Sequence, residues 1–143
     1  MFGSQVQSDG RIKSILDSSS FNYQIDSDGD FKVIFRFDDG RTQLAFVNSN
    51  TSSFAGVEIR NIWSIGLRGP GQLSSAMANA LLLKNGSYKI GGWYVSTNDS
   101  GTLAIFKAAI SANANPAELM SVLRAVAIEA DEVEKEFLGS DDL

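Results

Sequence analysis

Gln72-Leu-Ser-Ser-Ala-Met-Ala-Asn-Ala-Leu-Leu-Leu-Lys-Asn85 is the stretch on which the reading of the fold turns. Its periodicity predicts one helix over 72–85, and no charge occurs in it before Lys84. At 3.6 residues per turn, Leu73, Ala76, Met77, Ala80, Leu81 and Leu83 share one broad face. The opposite face holds Ser74, Ser75, Ala78, Asn79 and Leu82, all small or uncharged. A surface helix carries charge on its outer side, and this one does not. It is therefore expected to be covered twice, once by its own sheet and once by something else. The remainder of the chain is expected to be organised around it.

Working toward the N-terminus, Gly69-Pro-Gly71 breaks the chain before this helix. Val57 to Leu67 alternates as a strand, with Val57, Ile59, Trp63, Ile65 and Leu67 on one side. Asn48 to Gly56 is a polar loop. Arg41 to Val47 is a strand with Leu44 and Phe46 inward, joined through the hairpin signal Asp39-Gly40 to Phe31–Asp38. In that strand Phe31, Val33, Phe35 and Phe37 form the core side. Asp26 to Asp30 is a turn, and Phe21–Ile25 is an earlier strand. A short helix over 10–17 has Asp9 as its cap and Ile12, Ile15 and Leu16 on its apolar side.

Working toward the C-terminus, Asn85-Gly86 closes the helix, with Gly86 in the left-handed conformation. Tyr88–Ser96 and Thr102–Ile110 read as a hairpin with apolar residues on both faces: Tyr88, Ile90 and Tyr94 against Trp93 and Val95. Asn115 then caps a long helix with Pro116 at its first position and Glu118 completing the start signal. Leu119, Val122, Leu123, Val126, Ala130, Val133 and Phe137 recur on one stripe of it. The fold class is α+β, an antiparallel sheet of about six strands in the order α-β-β-β-β-α-β-β-α. Residues 1–143 form a single domain.

Composition removes several chemistries. The chain has no cysteine and no histidine, so disulfides, thiol chemistry, the usual zinc ligands and histidine general bases are absent. A net charge of −5 argues against a phosphate-backbone partner. No signal peptide and no apolar run of membrane-spanning length are present, so the expectation is a cytoplasmic protein with no membrane partner. Asp26-Ser-Asp-Gly-Asp30 resembles the start of a calcium loop. The sixth and twelfth loop positions, which need Gly and Glu, are Phe31 and Phe37, and the turn reading wins. Asp38-Asp39 reads as a solvated turn. Gly66 to Gly71 lacks the Lys-Ser or Lys-Thr of a phosphate loop, and Pro70 removes a donor. Glu129, Asp131, Glu132, Glu134 and Glu136 read as a solvated face or as an electrostatic rim for a basic partner. No catalytic residue, metal site or cofactor is expected.

Leu81-Leu82-Leu83-Lys84-Asn85, Gly92-Trp93-Tyr94-Val95, Gly101-Thr-Leu103-Ala-Ile105 and the Leu119–Phe137 helix with its acidic end carry a resemblance. From about Ile12 to Phe137 the chain resembles the type III secretion chaperone fold, and more closely the YbjN-like bacterial proteins that share it. It has an apparent fourth strand before the central helix where secretion chaperones usually have three. The resemblance implies a small, acidic, cytoplasmic protein, usually dimeric, that binds other polypeptides; the YbjN-like branch is described as sensory-transduction regulators. The leading expectation is a non-enzymatic polypeptide-binding or regulatory adaptor, with a small-molecule-binding sensor domain as the alternative. The uncharged helix face predicts a homodimer, with Ser74, Ser75, Ala78, Leu82, Trp93 and Val95 at the interface.

Overall fold

The computed structural model describes residues 7–138. Helix α1 (Gly10–Asp17) is followed by strands β1 (Asn22–Ile25), β2 (Phe31–Arg36), β3 (Thr42–Val47), β4 (Ser52–Phe54) and β5 (Val57–Gly69). Helix α2 (Ser75–Asn85), strands β6 (Gly92–Asn98) and β7 (Gly101–Ser111), and helix α3 (Pro116–Phe137) complete it. The acidic end at Asp141-Asp142 and the N-terminal residues 1–6 lie outside the described residues. The sheet has seven antiparallel strands, in the order β1-β2-β3-β5-β7-β6 with β4 on the start of β5. The additional strand relative to the sequence reading comes from the supposed loop over 48–56. There Ala55 and Gly56 both take positive φ, which closes a two-residue hairpin.

The element that organises the fold is β5, not α2. It pairs along nearly its whole length with β7, and also with β3 and β4. The buried stripe of α3 crosses it: Leu119, Leu123, Val126, Ala127, Ala130 and Val133 are all within the core. The stripe read from the sequence is the observed one. So is its cap, since Asn115 Oδ1 accepts the Glu118 N–H at 2.8 Å. Asp9 caps α1 in the same way, accepting the Arg11 N–H at 2.9 Å.

Strand β3 faces the opposite way from its sequence reading, and in β5 most of the set read as one apolar side is the outer one. In β3 the inward residues are Gln43, Ala45 and Val47, and Leu44 and Phe46 point away from the helices. In β5 the inward residues are Arg60, Ile62 and Ser64, while Ile59, Trp63 and Ile65 are on the outer face. A register shift between Ile65 and Leu67 reverses the parity, which is why Leu67 reaches the core. The bulged residue is Gly66. A Cβ there would stand 2.4 Å from the Trp93 ring and 3.3 Å from the Ala130 carbonyl oxygen.

Local hydrogen bonds hold the inward polar groups and permit this orientation, leaving Gln43 Oε1 and Arg60 Nε buried without a partner. The Arg60 guanidinium donates to the carbonyls of Asn48 (2.6 Å) and Ser49 (3.1 Å) and to Asp9 Oδ2 (2.7 Å). The Arg11 guanidinium, together with Arg60, holds the Asp9 carboxyl well below the usual carboxylate range. Gln43 Nε2 donates to Ser64 Oγ at 2.9 Å and to the Ile65 carbonyl at 2.7 Å.

The Asp26–Asp30 segment is a turn. Asp26 Oδ1 accepts the N–H groups of Asp28 (2.9 Å) and Asp30 (3.1 Å), and Asp30 Oδ1 accepts that of Ser49 (2.8 Å). Carboxylate oxygens of Asp26, Asp28 and Asp30 do lie within 4.8 Å of one another. Their hydrogen bonds are those of an Asx turn, which uses Asp at these positions for its own backbone.

Two measurements test this architecture. Leu123→Ala, at a fully buried site, should cost about 2–5 kcal/mol in urea unfolding. Arg124→Ala, which removes only a guanidinium 5.3 Å above the Phe21 ring, should cost no more than about 1 kcal/mol. Micromolar calcium or zinc should leave the melting temperature unchanged; a rise of several degrees abolished by Asp28→Ala would establish a metal site in the acidic turn.

Candidate interaction surfaces

Helix α2 begins three residues later than its periodicity suggests. Ser74 is the cap, accepting the Met77 N–H at 3.1 Å, and Ser75 is the first helical residue. The helix ends without a left-handed glycine, because Gly86 has φ −67. Only Leu81 of α2 is fully buried; Leu73 and Met77 pack against the core more loosely. Leu82 is 66% exposed and Leu83 80%. The inward position expected for Leu83 is corrected by this: a rotation of the helix turns both leucines to the surface.

Nothing described covers that surface. Helix α1 is held at the start of β5, where Arg11 pairs with Glu58 at 2.9 Å, and β4 also lies there. Helix α2 leaves from the far end of β5, about 35 Å away at the usual strand rise. The uncharged face read from the sequence is thus present and open, and Ser74, Ser75 and Leu82 are exposed on it with Ala78 half-buried.

Strand β6 stands at the edge of the sheet beside α2. It begins at Gly92; Tyr88 to Gly91, expected as strand, form a loop. Val95 is exposed at the edge. Trp93 is not: it is 7% exposed, with its ring edge-on to Phe106 at 5.5 Å and its Nε1 donating to the Tyr88 hydroxyl at 3.0 Å. This corrects its assignment to the surface. Its backbone explains how α2 is attached. The Asn85 side chain accepts the Trp93 N–H at 2.7 Å and donates to the Trp93 carbonyl at 3.2 Å. An amide at the end of α2 therefore occupies the place of a neighbouring strand. Asn85 reads in sequence only as a helix stop, and nothing local signals this second role.

A further surface was missed by sequence reading. All three helices pack on one face of the sheet, and no described helix lies on the other. Ile34, Leu44, Phe46, Trp63 and Ile65 are half-buried there, and Tyr94 is exposed. Phe46 and Trp63 stack at 4.2 Å, and Trp63 Nε1 donates to Asn48 Oδ1 at 2.8 Å. The signal was available: β3 and β5 carry large apolar residues at both parities or at the wrong one. Strands that bury one face alternate cleanly, so such a pattern marks a sheet with two apolar faces.

The acidic half of α3 divides in two. Asp131 and Glu134 point inward and hold the Arg41 guanidinium at 2.9 and 3.0 Å. They continue the helical spacing of Ala127 and Ala130, which was the readable sign that they are not a solvated face. Glu136 pairs with Lys84 at 3.0 Å, and Lys135 lies 3.7 Å from Asp39. Glu129 stands beside the Tyr88 hydroxyl, and burial pushes its carboxyl above the ordinary range.

Among the described residues no helix is long and apolar enough to cross a membrane. No curated protein matches the chain. A family model, YbjN, described as "Putative bacterial sensory transduction regulator", matches residues 8–139, from just before the α1 cap to just past the end of α3. Since that match takes in every helix and strand described above, the chain belongs to the YbjN family.

Proposed function

We propose that the protein is a non-enzymatic regulatory adaptor of the cytoplasm, a homodimer that binds another polypeptide. The observation that carries the reading is the uncovered apolar stripe on the outer face of the sheet, from Ile34 through Leu44, Phe46, Trp63 and Ile65 to Tyr94. A contiguous apolar surface of this kind on a monomer marks an interaction site. The hollows near α2 and α3 are open and surface-lying, which suits a chain laid along the molecule better than an enclosed metabolite. Asp131, Glu134 and Glu136 of α3 are engaged in ion pairs rather than gathered around a nucleophile. The second uncovered surface, α2 with the β6 edge, meets the stripe at β6 and is the patch on which a two-fold dimer would close.

Affinity capture from bacterial lysate should recover one polypeptide in fixed stoichiometry with the wild-type chain. Ile34→Glu and Leu44→Glu should lose it while keeping the far-UV spectrum and the dimer; equal recovery by all three proteins ends the reading. Sedimentation equilibrium at micromolar concentration should give a dimer, and Leu82→Glu should give a folded monomer. A wild-type monomer, or a Leu82→Glu dimer, removes the homodimer on α2.

A further inference from the structure

The outer face of the sheet has a charge pattern of its own. Residues opposite one another in an antiparallel pair share a face, so the strand register lays out its rows. One row runs Lys32, Phe46, Trp63 and Lys107, from β2 to β7. The next holds Ile34 and Leu44, then Ile65, Ile105 and Tyr94. Beyond it stand Arg36, beside Thr42, and Arg68, beside Leu103. Apolar side chains thus occupy the middle. Cations stand on both sides of it, Lys32 and Lys107 on one and Arg36 and Arg68 on the other. Arg36, Arg68 and Lys107 are exposed, and Lys32 is half-buried.

No carboxylate answers them. The one carboxylate in the strands is Glu58, and Arg11 of α1 holds it at 2.9 Å. Among the described residues, Lys32, Arg36, Arg68 and Lys107 make no ion pair and no side-chain hydrogen bond. Lys107 Nζ lies only over the Tyr94 ring, 5.0 Å from its centre. The cations of the helix-bearing side differ. Arg11, Arg41, Arg60 and Lys84 each reach a carboxylate within 3.0 Å. In a chain of net charge −5, these unpaired cations surround the face of the sheet that no described helix covers.

An apolar centre with a charged rim is the anatomy of a protein interface, and the sign of the rim selects the sign of the partner. Exposed ion pairs contribute little each, so the centre supplies the affinity and the cations the choice of partner. Dimensions give the form. The two cation rows are four residues apart along β2, about 13 Å, and the middle row from β2 to β6 spans four strand spacings, about 19 Å. An α-helix with its side chains is about 10–12 Å wide and covers that span in about 13 residues. A helix is also the layer that this sheet lacks, since α1, α2 and α3 all pack on its other face. A nucleic acid has the right charge but little to hold. Ile34, Leu44 and Ile65 offer no donor or acceptor to a base edge. Phe46 and Trp63 stack on each other at 4.2 Å rather than lying open as platforms.

We propose that the outer face docks an acidic amphipathic helix of the bound polypeptide. Its apolar stripe lies on Ile34, Leu44 and Ile65. Carboxylates on its two flanks meet Lys32 and Lys107 on one side and Arg36 and Arg68 on the other. The inference rests on the polypeptide-binding reading above and names the form and charge of the segment that is bound.

Three capped peptides test it, each followed by amide chemical shifts of the whole protein at low salt. The first is two copies of Glu-Leu-Glu-Gln-Leu-Leu-Ala, which as a helix carries carboxylates on both sides of a leucine stripe. The second and third have glutamine or lysine in place of each glutamate. The glutamate peptide should shift Ile34, Leu44 and Ile65 and gain helical signal. It should bind about tenfold more tightly than the glutamine peptide, the combined effect of several exposed ion pairs. The lysine peptide should bind most weakly, and the differences should shrink at about 1 M salt. The double variant Arg68→Glu with Lys107→Glu, at two exposed sites, should keep the far-UV spectrum and reverse the order of the glutamate and lysine peptides. Arg68→Gln with Lys107→Gln should bring the two closer without reversing them.

Equal binding of the three peptides, or an order that survives the charge reversal, sinks the acidic helix and leaves the adaptor reading standing. Tighter binding of a fifteen-nucleotide oligothymidine than of the glutamate peptide at the same residues overturns it in favour of a nucleic acid. Self-association beyond a dimer that the charge reversal abolishes gives the face to a second copy instead. Silence of all three peptides at the outer face overturns the inference. If lysate capture also recovers nothing, the adaptor reading falls with it.

Discussion

The close approach of β5 to α3 and Trp93 is the constraint from which the rest of the structure follows. At Gly66 the strand has no side chain, and the Trp93 ring and the Ala130 carbonyl occupy the space that a methyl would need. Small residues on α3, Ala127 and Ala130, let the helix lie near the strand at the same place. Trp93 in turn fixes β6 against β7, and its backbone is gripped by Asn85. A single line of contacts thus runs from α3 through Gly66 and Trp93 to α2.

The helices and the overall order of elements were legible because capping residues and helical spacing are local signals. Asn115, Pro116 and the stripe from Leu119 to Phe137 specify α3 with no reference to the remaining chain. The facing of β3 and β5 was not legible. In β5 the more hydrophobic alternate set, Ile59, Trp63 and Ile65, is the outer one, and the inner set includes Arg60, Ser64 and Gly66. Hydrophobicity ranks the two sets the wrong way. What reverses the ranking is tertiary: Asp9 and two loop carbonyls arrive to neutralise Arg60, and Gln43 arrives to satisfy Ser64. A bulge then restores Leu67 to the core, and no residue other than Gly66 hints at it. The candidate surfaces were legible in part. The missing charge on α2 was a true sign of an uncovered face, but Trp93 was drawn into that face by an apolar pattern that in fact continues the core.

Ion pairs fasten the helices at opposite ends of the molecule. Arg60 and Asp9, joined by Arg11 and Glu58, tie the start of α1 to the first half of β5. Arg41, with Asp131 and Glu134, ties the turn between β2 and β3 to the last third of α3. Buried pairs of this kind add little net stability, because desolvation offsets much of their attraction. They do make wrong dockings costly, since a helix shifted by one turn would leave a charge buried alone. The acidic residues of α3 are therefore divided between a register device on its inner side and carboxylates turned outward, of which Glu136 pairs with Lys84.

The amide of Asn85 has a consequence for how the protein behaves at high concentration. An edge strand with the sequence Trp-Tyr-Val-Ser-Thr, free of proline and of charge, is the kind of template on which sheets extend from one molecule to the next. Asn85 already holds the N–H and C=O of Trp93, so an invading chain finds the first rung taken. It can begin no earlier than Val95, and β6 ends at Asn98. What remains is a ladder of roughly 13 Å, too short to hold an intermolecular ribbon together unaided. One side-chain amide thereby shortens the edge on which fibrous growth could begin.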